Sequence, residues 1–354
     1  MNILLTCFYF DGFSGSPIHC MEMGEHLAQK HSVSIAAVKT NQEMIDLCRS
    51  KSINLYNLEE LPLNSVYDIV IAYHFPIAPY LIDKGLKYKK LINGVLSSFG
   101  GLETPLFFSK DIDLFSCMCE ETISYISDTF NIDKSKTYLL PNFLPDIYVR
   151  KHISFSSELK KVLVVSNHTP QELCNLSAQS SLDVDYIGDK GKPLLITPEV
   201  LLNYDAVITI GKTVQYCLGL GIPVYEYDVF GGAGYISLQN IDKEEHHNFS
   251  GRGTPRKLTT QQIIQELEEN YSKCTSELCS LQTIALERYS LKKNVDKLIE
   301  KILSLKDTQI KADAFYKQQI EYVKTFIKQI NVLPIKETIK KHKIYNILGI
   351  KIKI

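Results

Sequence analysis

Short runs of apolar, largely β-branched residues recur along most of this chain, each followed by a helix-length stretch with apolar residues every three or four positions. In the first half they are Asn2 to Phe8, Val33 to Val38, Asp68 to Ala72, Leu91 to Val95 and Leu114 to Met118. A short polar segment, Ser154 to Lys161, interrupts the pattern. It restarts with Lys161 to Val165, Asp183 to Ile187, Ala206 to Ile210 and Pro223 to Tyr227. Strands that alternate with helices pair in parallel, because each helix carries the chain back over the sheet, and a parallel sheet needs cover on both faces. The expectation is two α/β units joined near residues 148–160 with a cleft between them, since such proteins bind ligands outside the carboxyl ends of their strands. A length of 354 residues, about twice that of a typical domain, fits.

Composition removes several alternatives. The net charge is −1, which gives no reason to expect a nucleic-acid partner. Met1 leads straight into Asn-Ile-Leu-Leu without a basic leader, so it reads as the first core strand rather than a signal peptide. No apolar stretch approaches bilayer length. The nine cysteines are odd in number and mostly sit inside apolar patterns, so reduced core thiols in a cytoplasmic protein are expected. Cys117-Met118-Cys119 fits neither a zinc ribbon nor a redox pair, and no His, Asp and Glu cluster has metal-ligand spacing, so no metal is expected. His246-His247 after Glu244-Glu245 reads as an exposed charged loop.

The densest signal lies between Asp205 and Arg252. An apolar strand ends at Gly211-Lys212-Thr213, and a short helix pattern follows. A second strand, Ile222 to Tyr225, then leads to the glycine-rich Phe230-Gly231-Gly232-Ala233-Gly234 and on to Asn248-Phe249-Ser250-Gly251-Arg252. A helix N-terminus after a glycine turn offers unpaired N–H groups and a positive dipole end to an anion, and Lys212 adds a full charge there. An ordinary βαβ crossover needs glycines at its turns as well, so both readings stand. Beyond about residue 259 the pattern is helical. Thr259-Thr260-Gln261-Gln262 caps a helix through Leu267, and further helices are expected near 276–305 and 308–330. Residues 311–354 carry ten Lys against three acidic residues, Asp313, Glu321 and Glu337. Such a tail either lies on an anionic membrane or packs on the body with its lysines solvated.

Taken in order, these motifs resemble the GT-B glycosyltransferases, especially bacterial family 4 and its relatives in surface-polysaccharide synthesis. The likeness spans roughly residues 1–305. It rests on the opening strand, glycine-rich loop and helix through Glu25 to Val33; on Asp68 to His74, a strand ending in histidine; on Asp113 to Ser116, Glu120-Glu121-Thr122 and Leu139 to Phe143; and on Gly221-Ile222-Pro223-Val224. Three departures stand out. Ile208 and Tyr216 occupy the places of the family's paired glutamates, and Ser166-Asn167-His168 replaces its Gly-Arg turn.

The resemblance implies two Rossmann-like domains facing a central cleft, plus C-terminal helices. Residues 1–150 would form an acceptor domain, 151–305 a nucleotide-sugar donor domain, and 306–354 a basic helical extension. The implied activity is transfer of a sugar from a nucleotide-diphosphate sugar, with UDP the expected carrier and no further cofactor, to a glycan or lipid-linked glycan at the inner face of the cell membrane. Donor contacts would come from Gly15, Ser16, Asn167, His168, Lys212, Thr213, Glu226, Asp228, Gly231, Gly232 and Arg252. Lys212 and Arg252 would face the diphosphate, and Glu226 and Asp228 the ribose. The base that takes the acceptor proton would be His74, Glu103 or Asp11, with His19 a further candidate. A nucleotide-sugar epimerase, or a non-catalytic partner of the same fold, remains an alternative.

Overall fold

The computed structural model describes residues 1–106, 108, 111–192, 194–306, 320–321, 323–325 and 327, and the backbone of 344–347 and 350–353. The chain divides into two units. The first comprises Met1–Met118, Thr122–Leu140 and Val295–Ile354, and the second Cys119–Glu121 and Pro141–Asn294. The break at 140/141 thus precedes the expected one at 150, and from Val295 the chain returns to the first unit rather than completing the second.

Every apolar run of the first half becomes a strand. In chain order this unit holds β1 (Asn2–Phe10), α1 (Gly15–Ala28), β2 (Ser32–Thr40), α2 (Gln42–Ser50), β3 (Ile53–Asn57), β4 (Val66–Tyr73), α3 (Ile77–Asp83), β5 (Lys87–Val95), β6 (Leu114–Cys117), α4 (Glu120–Phe130, whose first two residues, Glu120 and Glu121, belong to the second unit) and β7 (Thr137–Leu139). The strands form one parallel sheet in the order β3-β2-β1-β4-β5-β6-β7. Leu4 pairs with Ser34 on one side and Val70 on the other. Placing β1 at the centre explains its nearly continuous apolar sequence, since both its faces are covered. The strand order reverses between β1 and β4, and the crevice at such a switch point is where a doubly wound sheet holds a ligand.

The second unit continues with β8 (Lys161–Ser166), α5 (Gln171–Cys174), α6 (Leu176–Gln179), β9 (Asp183–Gly188), α7 (Pro198–Leu201), β10 (Ala206–Thr209), α8 (Lys212–Leu220), β11 (Val224–Asp228), β12 (Gly231–Tyr235), α9 (Ile241–His246), α10 (Thr260–Arg288) and the start of α11 (Leu291–Ser304). Its sheet runs β12-β11-β10-β8-β9, with the switch point between β8 and β10. Alternate residues feed two cores. Val162 and Val164 join Ile208, Tyr225, Tyr227 and Leu267, while Leu163 and Val207 join Val224, Val214 and Phe249.

Several expectations change. The glycine-rich stretch 230–234 is largely a strand, β12, running antiparallel to β11. The helix expected through Leu267 continues to Arg288. Its start is fixed by a capping box in which Thr259 Oγ1 accepts from Gln262 N and Gln262 Oε1 accepts from Thr259 N. Of the helix expected at 308–330, the described positions 320, 321, 323–325 and 327 are helical, and Ile320, Val323 and Ile327 join the core of the first unit. The rest lies outside the described residues, as does most of the basic tail. Where the extension was expected to be helical to its end, Ile344–Ile347 and Ile350–Lys353 pair as antiparallel strands, β13 and β14. Their alternation of Ile with Lys, Tyr and Asn is the two-residue period of a strand.

Candidate functional site

The carboxyl ends of β8 and β10 bring Ser166, Asn167 and His168 to the switch point of the second unit alongside Gly211, Lys212 and Thr213. Gly211 makes the turn from β10 into α8 with φ 62° and ψ −132°, a conformation that only glycine adopts without strain. No side-chain hydrogen bond caps α8, and a helix N-terminus without a cap is an arrangement that suits an anion. The Lys212 ammonium lies 5.3 Å from the centre of the Phe143 ring and 5.5 Å from that of Tyr216. Tyr216 in turn stacks on Tyr148, with centroids 3.8 Å apart. Where the family resemblance would place a glutamate, an aromatic wall therefore steadies the lysine by cation–π attraction.

A second set of contacts positions Arg252. The segment 247–254 turns through left-handed backbone at Asn248 (φ 56°), Phe249 (φ 49°) and Gly251 (φ 78°). It is pinned on either side of Ser250: Phe249 O accepts from Gly211 N at 2.7 Å, and Gly251 N donates to Glu226 Oε1 at 2.6 Å. Arg252 then forms a two-pronged ion pair with Glu121, Nε to Oε1 at 3.1 Å and Nη2 to Oε2, over the ring of Phe230. His247 Nδ1 shares Glu121 Oε1 at 3.1 Å. The sequence had suggested Arg252 but not this carboxylate partner, because the two are 131 positions apart.

The two carboxylates expected at a ribose behave differently from that expectation. Glu226 is fully buried and bonded to Gly251, so it supports the loop rather than presenting an oxygen to a ligand. Burial, reinforced by the neighbouring Glu244, raises its pKa to about 8. Asp228 is buried as well and ties strand ends together. His168 N donates to Ser166 Oγ, which donates to Asp228 Oδ2, each at 3.0 Å. Burial raises its pKa too. Gly231 and Gly232 make room for protein backbone: a Cβ would lie 2.4 Å from Arg256 O at the first and 1.8 Å from Glu226 O at the second. Asn167 and His168 are exposed at the strand end.

In the first unit, the ends of β1 and β4 carry Asp11 and His74 to its switch point, next to the N-terminus of α1, where Gly15 and Ser16 lie without a side-chain cap. Asp11 is exposed. His74 is buried, with φ 64°, an unusual conformation for a residue with a Cβ. Its Nδ1 accepts from Phe8 N at 2.7 Å, so in the neutral ring the proton sits on Nε2, which lies 3.3 Å from Glu103 Oε1. The second Glu103 oxygen accepts from Leu96 N at 2.7 Å. Both ring nitrogens of His74 are committed, and the lone pair a general base needs is already used. Glu103 is the better-placed proton acceptor, and His74 holds it. His19 is buried against the Tyr73 hydroxyl at 3.0 Å.

Sequence patterning missed Glu121, His247 and Glu244 as parts of the site. The stretch read as an exposed charged loop contains α9, and its Glu244 is fully buried. Ile241 three positions earlier, also buried, was the available signal.

No protein-family model and no curated protein matches the chain. Solved structures do. A glycosyltransferase from Rickettsia africae is 15% identical, covering 86% of this chain and 98% of its own, with a TM-score of 0.55. Anabaena Alr3699/HepE, solved with UDP, is 12% identical over 86% and 100%, with a TM-score of 0.58. Its structure with UDP-glucose gives 14% and 0.57 at the same coverage. Sucrose-phosphate synthase from Thermosynechococcus elongatus is 10% identical over 85% and 98%, with a TM-score of 0.51. The fold defined here is GT-B, two Rossmann-like α/β units with C-terminal helices, and these structures share it. Among the described residues no helix is long and apolar enough to cross a membrane.

Proposed function

We propose that this protein is a glycosyltransferase that moves a sugar from a nucleoside-diphosphate sugar, with UDP as the carrier, to a hydroxyl of a growing bacterial surface glycan. The observation that carries the reading is the cationic turn at the β8/β10 switch point: an uncapped helix N-terminus at Gly211 with Lys212 against two aromatic rings. A diphosphate leaving group needs positive charge where its own charge develops, and such a turn supplies it without a metal. Crystals of HepE with UDP and UDP-glucose support the donor class. Arg252 is the second donor contact. Glu103, oriented by His74, is the base that accepts the acceptor proton as the hydroxyl oxygen attacks the anomeric carbon and the nucleoside diphosphate leaves with the bonding pair. The lysine excess of residues 311–354 supports attachment to an anionic membrane, where a lipid-linked acceptor would be presented.

Thermal denaturation with a panel of nucleoside diphosphates and their sugars tests this, on wild type and Lys212→Ala. A ligand at a hundred times its Kd adds about 2.7 kcal/mol. Selective stabilisation by one diphosphate, weakened in the variant, is expected. Stabilisation by none would remove the donor assignment. Conversion of the donor sugar without acceptor would identify an epimerase instead.

A further inference from the structure

The Glu226 and Glu244 carboxyl groups are both fully buried and within hydrogen-bonding reach of one another. One oxygen of each has a donor. Glu226 Oε1 accepts from Gly251 N, and Glu244 Oε1 accepts from Thr254 Oγ1 at 2.5 Å. The other oxygens, Glu226 Oε2 and Glu244 Oε2, are buried without a hydrogen-bond partner, and the Ala233 N–H, close to Glu226, opposes burial only weakly. Two facing carboxylates in an apolar site repel, and a single proton between them converts the repulsion into a short hydrogen bond. The partners of the pair all lie on one segment. Glu226 holds Gly251, Glu244 holds Thr254, and the Glu244 carbonyl accepts from Phe249 N at 2.7 Å. Between these anchors sits Arg252.

The surrounding charges do not neutralise the pair. Lys243 reaches Thr254 Oγ1 at 3.0 Å rather than either carboxylate. Asp242 and Glu245 on α9 are bound to Arg288. Asp228, two residues along β11, is taken up by Ser166, and Arg252 and His247 by Glu121. At Gly253 a Cβ would stand 2.4 Å from Glu244 Oε2 and 3.1 Å from His247 Cδ2, so the imidazole lies close by. Lys212 opens α8, packed against the aromatic wall. The strands flanking Glu226, Ala206–Thr209 and Gly231–Tyr235, bring no charged side chain.

We infer that Glu226 and Glu244 are positioning residues that share one proton, and that this proton latches the 247–254 segment, so that its loss to solvent frees the loop carrying Arg252. The direction follows from linkage. The closed loop holds a proton that the opened loop, with its carboxyls in water, releases. Opening therefore grows as pH rises from the ordinary carboxyl range towards the raised one, and levels off above it. The latch stands whether or not the protein is a transferase. Only its consequence, weaker binding of a nucleoside diphosphate at Arg252 in alkaline solution, rests on the proposed function.

Amide hydrogen exchange of the full chain tests it, followed on peptides covering 248–252 from about pH 5.5 to pH 8.5 and corrected for intrinsic base catalysis. Exchange through local opening reports the opening equilibrium. In the wild type the corrected rate should climb by up to about tenfold per pH unit. Glu226→Gln, whose amide can accept from Gly251 N and donate to Glu244 without titrating, should give a flat profile. Should that variant not fold, Glu244→Gln makes the same substitution from the other side. A flat wild-type profile, or variant profiles parallel to a rising wild type, would overturn the latch. UDP titrations over the same pH range bear on the donor assignment alone.

Discussion

Replacing Gly211 with alanine isolates the cost of one backbone conformation. At φ 62° and ψ −132° a Cβ crowds its own carbonyl, a strain of about 1–3 kcal/mol. No heavy atom lies within 4 Å of where that Cβ would stand, so no clash adds to it. Alanine also narrows the unfolded ensemble, which offsets about 0.4–1 kcal/mol. At the middle of each range the net loss is about 1.3 kcal/mol, with Tm falling about 2–4 °C per kcal/mol for a unit of this size. Because the chain contains no Trp, far-ultraviolet circular dichroism and calorimetry are the suitable readouts. Gly12→Ala is the control, since its surroundings are equally open and its φ is not positive. Equal stability of Gly211→Ala and Gly12→Ala would refute the argument that the β10–α8 turn demands glycine, and with it the geometry assigned to the anion site.

Other consequences follow from the same contacts. Gly232→Ala, whose Cβ would meet the Glu226 carbonyl at 1.8 Å, should cost more than Gly211→Ala and prevent β12 from pairing, as urea denaturation would show. His74→Leu leaves the buried Phe8 N–H without its acceptor, a loss of about 1–3 kcal/mol in chemical denaturation. Glu226 and Asp228 both titrate above their ordinary range, so the folded chain binds more protons than the unfolded one between those ranges. Stability should accordingly fall as pH rises across that window, and Glu226→Gln should make the fall shallower in calorimetric scans at about pH 5 and pH 8. Glu103→Gln should depress turnover far more than nucleotide binding, whereas Lys212→Ala should weaken nucleotide binding first, a contrast read from kcat and from titration calorimetry.

What the sequence determined by itself was local. Apolar runs of strand length, separated by helix-period stretches, specified two parallel α/β units, because covering both faces of a strand leaves a nearly continuous hydrophobic signature. The Gly211-Lys212 turn was legible for the same reason: a strand end, a glycine and a helix start are neighbours in the chain. Thr259 and Gln262 announced the start of α10, yet its length was underestimated because polar residues on the exposed face of a long helix resemble a loop. Tertiary structure decided which polar groups the fold consumes. Glu226 and Asp228 looked like ligand-binding carboxylates at strand ends, but burial and bonds to Gly251 and Ser166 turn them into supports. His74 looked like a base until Phe8, 66 positions earlier, claimed its lone pair. Glu121 gave no local signal of its partner, and Glu244 only the i, i+3 spacing from buried Ile241. Whether a carboxylate is solvated, paired or forced to share a proton depends on partners brought together only by folding, and electrostatic energy depends on that distance and burial rather than on position along the chain.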